Sequence, residues 1–224
     1  MEILASPDLP PDVTLRDLGT HRLKDLRAPE HLFQVVHQAL AADFPPLKSL
    51  DARPNNLPIQ LTSFIGRDRE KAEVGRLLLT SHLVTLTGSG GAGKTRLALQ
   101  VAAEALEEFP DGVWFVELAA LSDPNLVLKA VASVLSVLEQ PGRVMTETLA
   151  DSLRGKSMLV VLDNCEHLVE ACAHLADALL RGCPNLRILA TSREALGVTG
   201  ETVWRVPSLS IPDPQHLPPL DGFK

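Results

Sequence analysis

The 224-residue sequence has no excess of positive charge, with 21 Lys and Arg against 28 Asp and Glu and a formal charge of −7. That balance leaves no overall electrostatic footprint for DNA or for an anionic membrane surface, so direct nucleic-acid binding by this chain is not expected. A basic N-terminal segment followed by an apolar stretch is also missing, and no apolar run approaches the length of a membrane span. Export and membrane insertion are therefore unsupported, and the cytoplasm is the expected location. Cysteine is scarce: Cys165, Cys172 and Cys183 form an odd set at spacings of seven and eleven, which fits no zinc signature and points to reduced thiols. Cys172 falls on the apolar face of an expected helix. No internal repeat is present. What the chain does have is an ordinary 45% of hydrophobic residues, enough for one sizeable domain and an appendage.

The run Leu83 to Thr87 is a short, partly β-branched strand, and it feeds directly into Gly88-Ser89-Gly90-Gly91-Ala92-Gly93-Lys94-Thr95. This matches the phosphate-binding loop G-x-x-x-x-G-K-[ST], in which glycines let backbone N–H groups close on phosphate oxygens and the following helix N-terminus favours the anion. With glycine near 7% of average usage, a chance match in a chain this long is on the order of one in a hundred. Leu97, Ala98, Val101, Ala102, Ala105, Leu106 and Phe109 then repeat at helical spacing, completing strand, loop and helix. The chain is thus expected to bind ATP or ADP, with Lys94 on the β- and γ-phosphates and the Thr95 hydroxyl on Mg²⁺.

Alternation continues downstream. Gly66 to Leu79 reads as a helix before the motif strand, Val113 to Leu118 as a second strand, and Asp123-Pro124 as the start of a helix carrying Leu126, Val127, Ala130, Val131, Val134 and Leu138, ended by Pro141-Gly142. Thr146 to Leu153 reads as a short helix, Met158 to Leu162 as a third strand, Glu166 to Arg181 as an amphipathic helix, and Leu186 to Ala190 and Thr202 to Val206 as the last two strands. Such alternation predicts an α/β, three-layer P-loop NTPase with a mostly parallel five-stranded sheet. Ahead of it, Val13 to Leu18 and His21 to Leu26 read as two short strands followed by an apolar segment, His31 to Leu40. The expected divisions are 1–43, a Pro-rich linker 44–60, the core 61–206 and a Pro-rich tail 207–224.

The third strand delivers Asp163 to its C-terminal edge, where ligands sit in parallel α/β sheets. Downstream of a phosphate loop, Asp163 is expected to hold Mg²⁺ together with Thr95. Asn164 is expected to cap the next helix. Glu166 has two readings, a base that polarises water for attack on the γ-phosphate or an acid favoured by the helix dipole. The fourth strand runs into Thr191-Ser192-Arg193; Thr191 and Arg193 can sense a γ-phosphate, or Ser192 can cap a helix beside a solvated Arg193.

With these residues placed, residues 57–219 resemble the nucleotide-binding core of the STAND class of signalling ATPases, which includes NB-ARC modules and the LuxR-type and AfsR-like bacterial regulators. Thr62-Ser63-Phe64-Ile65-Gly66-Arg67 resembles the class's opening motif, Leu162 to His167 its magnesium-site strand, and Ile188 to Glu194 its sensor strand. The resemblance implies an adenine-side role for Ile65, Gly66 and Arg67, a signalling switch with slow hydrolysis at most, nucleotide-dependent oligomers, and winged-helix and helical-repeat modules downstream. Asn164 departs from the second acidic residue that many relatives carry, which argues against fast turnover. Leu15 to Leu26 and Pro29 to Val35 are similar to the last strands of a class III adenylate/guanylate cyclase domain. Such a remnant would lack that domain's metal-binding aspartates, so cyclase activity is not expected. The chain reads as a piece of a longer regulator.

Overall fold

The computed structural model describes residues 53–58 and 64–208, together with 12–21, 29–37 and the single positions 10, 23, 39, 40 and 44. Most of the expected linker and tail, residues 24–26 of the expected second strand, and Thr62 and Ser63 of the opening motif lie outside the described residues.

The core alternates as its apolar periodicity predicts. In chain order it runs α1 (Asp68–Thr80), β3 (Leu83–Thr87), α2 (Lys94–Glu104), β4 (Val113–Glu117), α3 (Leu126–Val134), α4 (Met145–Leu153), β5 (Met158–Asp163), α5 (Val169–Gly182), β6 (Leu186–Thr191) and β7 (Glu201–Arg205); β1 and β2 precede it. The five strands form one sheet in the order β4-β5-β6-β3-β7, and every pairing in it is parallel. Period-two alternation assigns each strand's side chains to two cores. Met158, Val160 and Leu162 pack with α3, α4 and α5, whereas Leu159 and Val161 pack with α1 and α2. The molecule is the three-layer α/β fold that the sequence predicts. No helix among the described residues is long and apolar enough to cross a membrane.

Before the core, β1 (Val13–His21) and β2 (Glu30–His37) form an antiparallel pair with a register shift between Asp17 and Gly19. One strand therefore runs through the expected break at Leu18, and the apolar segment from His31 supplies its partner. The Asp17 carboxylate accepts the Gly19 N–H at 2.7 Å, which accommodates the bulge within the strand.

Several helix boundaries depart from expectation, α2 giving way after Glu104 to a 3₁₀ turn at Leu106–Glu108 and others shifting for local reasons. α3 stops at Val134, not near Leu138, because Ser136 adopts a left-handed conformation (φ 55°) while its N–H and that of Val137 bond the Ser133 and Ala132 carbonyls. That pattern is a Schellman stop with serine in the place glycine usually holds. The segment expected as one helix from Glu166 splits into a 3₁₀ turn, Cys165–His167, and α5. Asn164 makes no side-chain cap; it is left-handed (φ 65°), a conformation asparagine tolerates better than most residues.

Part of the expected linker is built into the sheet edge. The Asn55 bridge and a Val113 N–H to Pro54 carbonyl bond (3.0 Å) lay residues 54–57 along β4, and Leu57 is buried in the core. A Cβ on Gly112 would lie 2.3 Å from the Pro54 oxygen at a backbone φ of +104°, so only glycine allows this approach. Asn56 uses both ends of its amide, donating to the Phe115 carbonyl (2.8 Å) and accepting the Phe115 N–H (2.6 Å). The side chain thus occupies the place of one more strand residue at an otherwise open edge. Asn56→Ala is expected to lower unfolding free energy by about 1–2 kcal/mol for two lost hydrogen bonds. Urea denaturation measures this, and an unshifted midpoint would show that the edge does not depend on the plug.

Candidate nucleotide-binding site

Parallel strands bring their C-terminal ends to one edge, and β6 lies between β3 and β5. That order places the loop after β6 between the phosphate loop and the acidic strand end. Gly88 opens the phosphate loop at φ +148°, where a Cβ would lie 3.2 Å from the Val206 carbonyl oxygen, and Gly93 closes it in a left-handed conformation as α2 begins. Lys94, nearly buried, folds back so that Nζ donates to the Gly88 (2.9 Å) and Ser89 (3.1 Å) carbonyls. An ammonium held at the mouth of the loop in this way can transfer its donors to phosphate oxygens.

Asp163 is 6% exposed. A carboxylate so buried needs donors, and Oδ1 accepts the Thr95 hydroxyl at 2.8 Å and the Thr191 hydroxyl at 2.6 Å. The Asn164 N–H in turn donates to Thr191 Oγ1 at 2.9 Å. Thr95 and Asp163, expected to share a Mg²⁺ ion, lie within hydrogen-bond distance of one another. The Thr191 hydroxyl, expected to read a phosphate, is engaged by Asp163. The hydroxyl of Thr95 and the carboxylate of Asp163 form a hard-oxygen pair suited to Mg²⁺, which keeps several waters and shares its coordination with phosphates. When bound, the ion would neutralise phosphate charge and fix the nucleotide's position.

Arg193 and Glu166 also meet. Arg193 Nε donates to Glu166 Oε1 at 3.2 Å, and a terminal guanidinium nitrogen lies 4.0 Å from where a Cβ on Gly90 would be. The guanidinium is therefore at the tip of the phosphate loop. Its side chain is 69% exposed, while that of Glu166 is 16% exposed and its Oε2 is buried without a hydrogen-bond partner. No helix follows Ser192 among the described residues; Ser192 is buried and accepts the Glu194 N–H at 3.3 Å within a loop, so the capping alternative for this segment does not occur.

Two ties were not foreseen. Arg67, itself left-handed (φ 60°), donates through Nη1 to the Ala92 carbonyl (2.9 Å) and through Nη2 to the Pro207 carbonyl (3.0 Å). It links the phosphate loop to the chain leaving β7. Ile65 stands 91% exposed beside it in sequence. His167 Nε2 donates to the Leu121 carbonyl at 2.7 Å and Nδ1 faces Asn164 Nδ2 at 3.3 Å, joining the turn after Asp163 to the loop after β4. An exposed histidine in a first turn carries no signal of such a role in sequence. Cys165, which opens that turn, and Cys172 in α5 are buried free thiols. The hydrogen bond that the Cys165 thiol donates to Cys172, with burial, pushes Cys165 well above its ordinary pKa, so it stays protonated and is packing.

Comparison with known proteins gives this site a family. Residues 79–198, from the last turn of α1 to the loop before β7 and more than half of the chain, match the AAA domain. An uncharacterised protein of Mycobacterium tuberculosis is 48% identical over 151 residues, covering 67% of this chain and 38% of that protein. A protein of the same organism named as an HTH-type transcriptional regulator is 50% identical over 137 residues, 61% of this chain and 15% of its own length. The regulatory protein AfsR of Streptomyces griseus is 32% identical over 193 residues, 79% of this chain and 18% of its own length. The chain thus spans well under half the length of each of these relatives. By the match over its core, with the phosphate loop and acidic strand end in place, the chain belongs to the AAA domain family of P-loop ATPases.

Proposed function

We propose that this chain is the nucleotide-binding switch of a multidomain bacterial regulator, holding ATP or ADP with Mg²⁺ and hydrolysing slowly at most. The observation that carries the reading is the convergence of Lys94, Thr95 and Asp163 on one sheet edge, with Arg193 poised over the loop tip. Lys94 would take the β- and γ-phosphates, the backbone N–H groups of residues 88–93 would cradle them, and Thr95 and Asp163 would hold the ion. Gly66, Arg67 and the exposed Ile65 would line the adenine side. Arg193 is the sensor candidate, since an exposed guanidinium beside Gly90 can swing from Glu166 to a γ-phosphate with little cost in burial.

Slow turnover is supported by the same pair. Glu166 is the candidate to orient a water, and an ion pair with Arg193 engages it, while Asn164 stands where many relatives would carry a second acid. Its unpartnered Oε2 favours a second reading, an ATPase whose turnover is itself the function. Steady-state phosphate release decides between them, with turnover of many per minute excluding the switch.

A switch also needs an output. The Arg67 fork from Ala92 to Pro207 offers a path from the phosphate loop to the chain beyond the core. The regulator names of two relatives support a multidomain regulator as the context; winged-helix and helical-repeat modules, an NB-ARC-like class, a cytoplasmic location and nucleotide-dependent assembly are the rest of the proposal. DNA contact, on this reading, belongs to other parts of such a protein. The β1–β2 pair is proposed as the end of a cyclase-like module, without catalysis.

Nucleotide released from the denatured, purified protein and identified by chromatography is the first test; ADP or ATP from wild type and none from Lys94→Ala supports the site. Lys94→Ala is expected to weaken MgATP binding at least about a hundred-fold, because charge-assisted hydrogen bonds contribute about 1.5–3 kcal/mol each. Unchanged affinity by calorimetry would remove the site. Arg193→Ala is expected to weaken ATP binding about ten-fold or more while sparing ADP. Equal losses for the two nucleotides would deny Arg193 the sensor role.

A further inference from the structure

The insertion of β6 between β3 and β5 gives its last residue an unusual set of neighbours. Leu86 pairs with Thr191 in register, and Leu162 pairs with Ala190, so Thr191 stands level with the start of the phosphate loop and one step from Asp163. The side chain is 1% exposed. A hydroxyl has a single hydrogen to donate. In Thr191 that hydrogen goes to Asp163 Oδ1 at 2.6 Å, within the range of a charge-assisted O–H···O⁻ bond, and a lone pair takes the Asn164 N–H at 2.9 Å. Nothing is left to donate to a phosphate oxygen.

Thr95 donates to the same oxygen at 2.8 Å, so two hydroxyls fix one carboxylate. They are not equivalent. Thr95 lies in the first turn of the helix behind the phosphate loop and is the hydroxyl that would turn to the ion, whereas the Thr191 hydroxyl is also held by the N–H of the left-handed Asn164. Once Thr95 turns, Thr191 keeps the Asp163 rotamer.

From this geometry we infer that Thr191 is a positioning residue for the magnesium-holding carboxylate and not a reader of the γ-phosphate. The inference rests on the proposed Mg²⁺-nucleotide site and deepens it. Asp163 would then be oriented identically for diphosphate and triphosphate, which assigns any discrimination between them to other groups. Partners one step removed from a metal typically change its affinity ten- to a hundred-fold when lost.

The test measures ATP and ADP dissociation constants on the full chain, in saturating Mg²⁺ and in EDTA, for wild type, Thr191→Val and Thr191→Ser. The expected result is a loss of about ten-fold or more for both nucleotides in Mg²⁺ with the valine variant, little change in EDTA, and recovery to near wild type with serine. Loss confined to ATP would make Thr191 a sensor and overturn the inference. An equal loss in EDTA would reduce Thr191 to a structural residue and overturn it as well. Wild type that binds neither nucleotide would instead overturn the underlying site. Thr191→Cys, with similar bulk and a weak donor, carries the same comparison where the valine variant does not fold.

Discussion

A buried carboxylate is the constraint around which this domain is arranged. Asp163 sits at the end of an entirely buried strand, and an ionised group there is tolerable only where donors meet it. Its donors come from two other segments, the start of α2 and the end of β6, and the second reaches it because β6 lies directly beside β5. Strand order and site chemistry are therefore one requirement. A sheet with β5 directly beside β3 would leave Thr191 at a different place and Asp163 with one fewer hydroxyl.

The loops at this edge are also held from outside, by bonds that local sequence does not announce. Arg67 ties the phosphate loop to Pro207, and His167 ties the Asp163 turn to Leu121. Three non-glycine residues among those described have left-handed backbones, and two of them, Arg67 and Asn164, lie in these ties. Left-handed backbone costs about 1–2 kcal/mol for most side chains, so its placement beside the phosphate loop and the acidic turn is a conformational expense kept where geometry matters. Ser136, the third, has a different cause, ending α3 in a Schellman motif.

Elements governed by short-range periodicity were legible in the sequence. The strand at Leu83 to Thr87, the phosphate loop and the helix behind it each follow from patterns within a dozen residues, and Asp163 follows from an apolar strand placed after that loop. What escaped reading depends on partners far away in the chain or on residues in atypical roles. Asn56 looks like a linker residue between prolines, and only its pairing with Phe115, 59 positions on, makes it part of the sheet. Ser136 gives no stop signal, because serine rarely takes the position that glycine holds. Thr191 was legible as a site residue but its partner was not: a threonine at a strand end faces a phosphate or a carboxylate depending on strand order, which periodicity leaves open.

On the proposed reading, the energetics of Arg193 set how far this core can switch by itself. One charge-assisted contact with a γ-phosphate contributes about 1.5–3 kcal/mol of preference for ATP, roughly ten- to a hundred-fold. Inverting a two-state equilibrium from 1:99 to 99:1 needs about 5.5 kcal/mol of differential affinity. The ion pair with Glu166 lowers the net preference further, because the guanidinium leaves one partner to gain another. If Thr191 orients Asp163 alike for both nucleotides, it adds nothing to the difference. The core then biases its conformation without inverting it, and the remaining free energy has to come from contacts made outside the phosphate site. Arg67 is placed for that, since movement of the Ala92 carbonyl changes the geometry at Pro207 and so the direction in which the chain leaves the sheet. On this reading, a switch built in this way would depend on contacts made by the chain beyond Pro207 and not on the phosphate site alone.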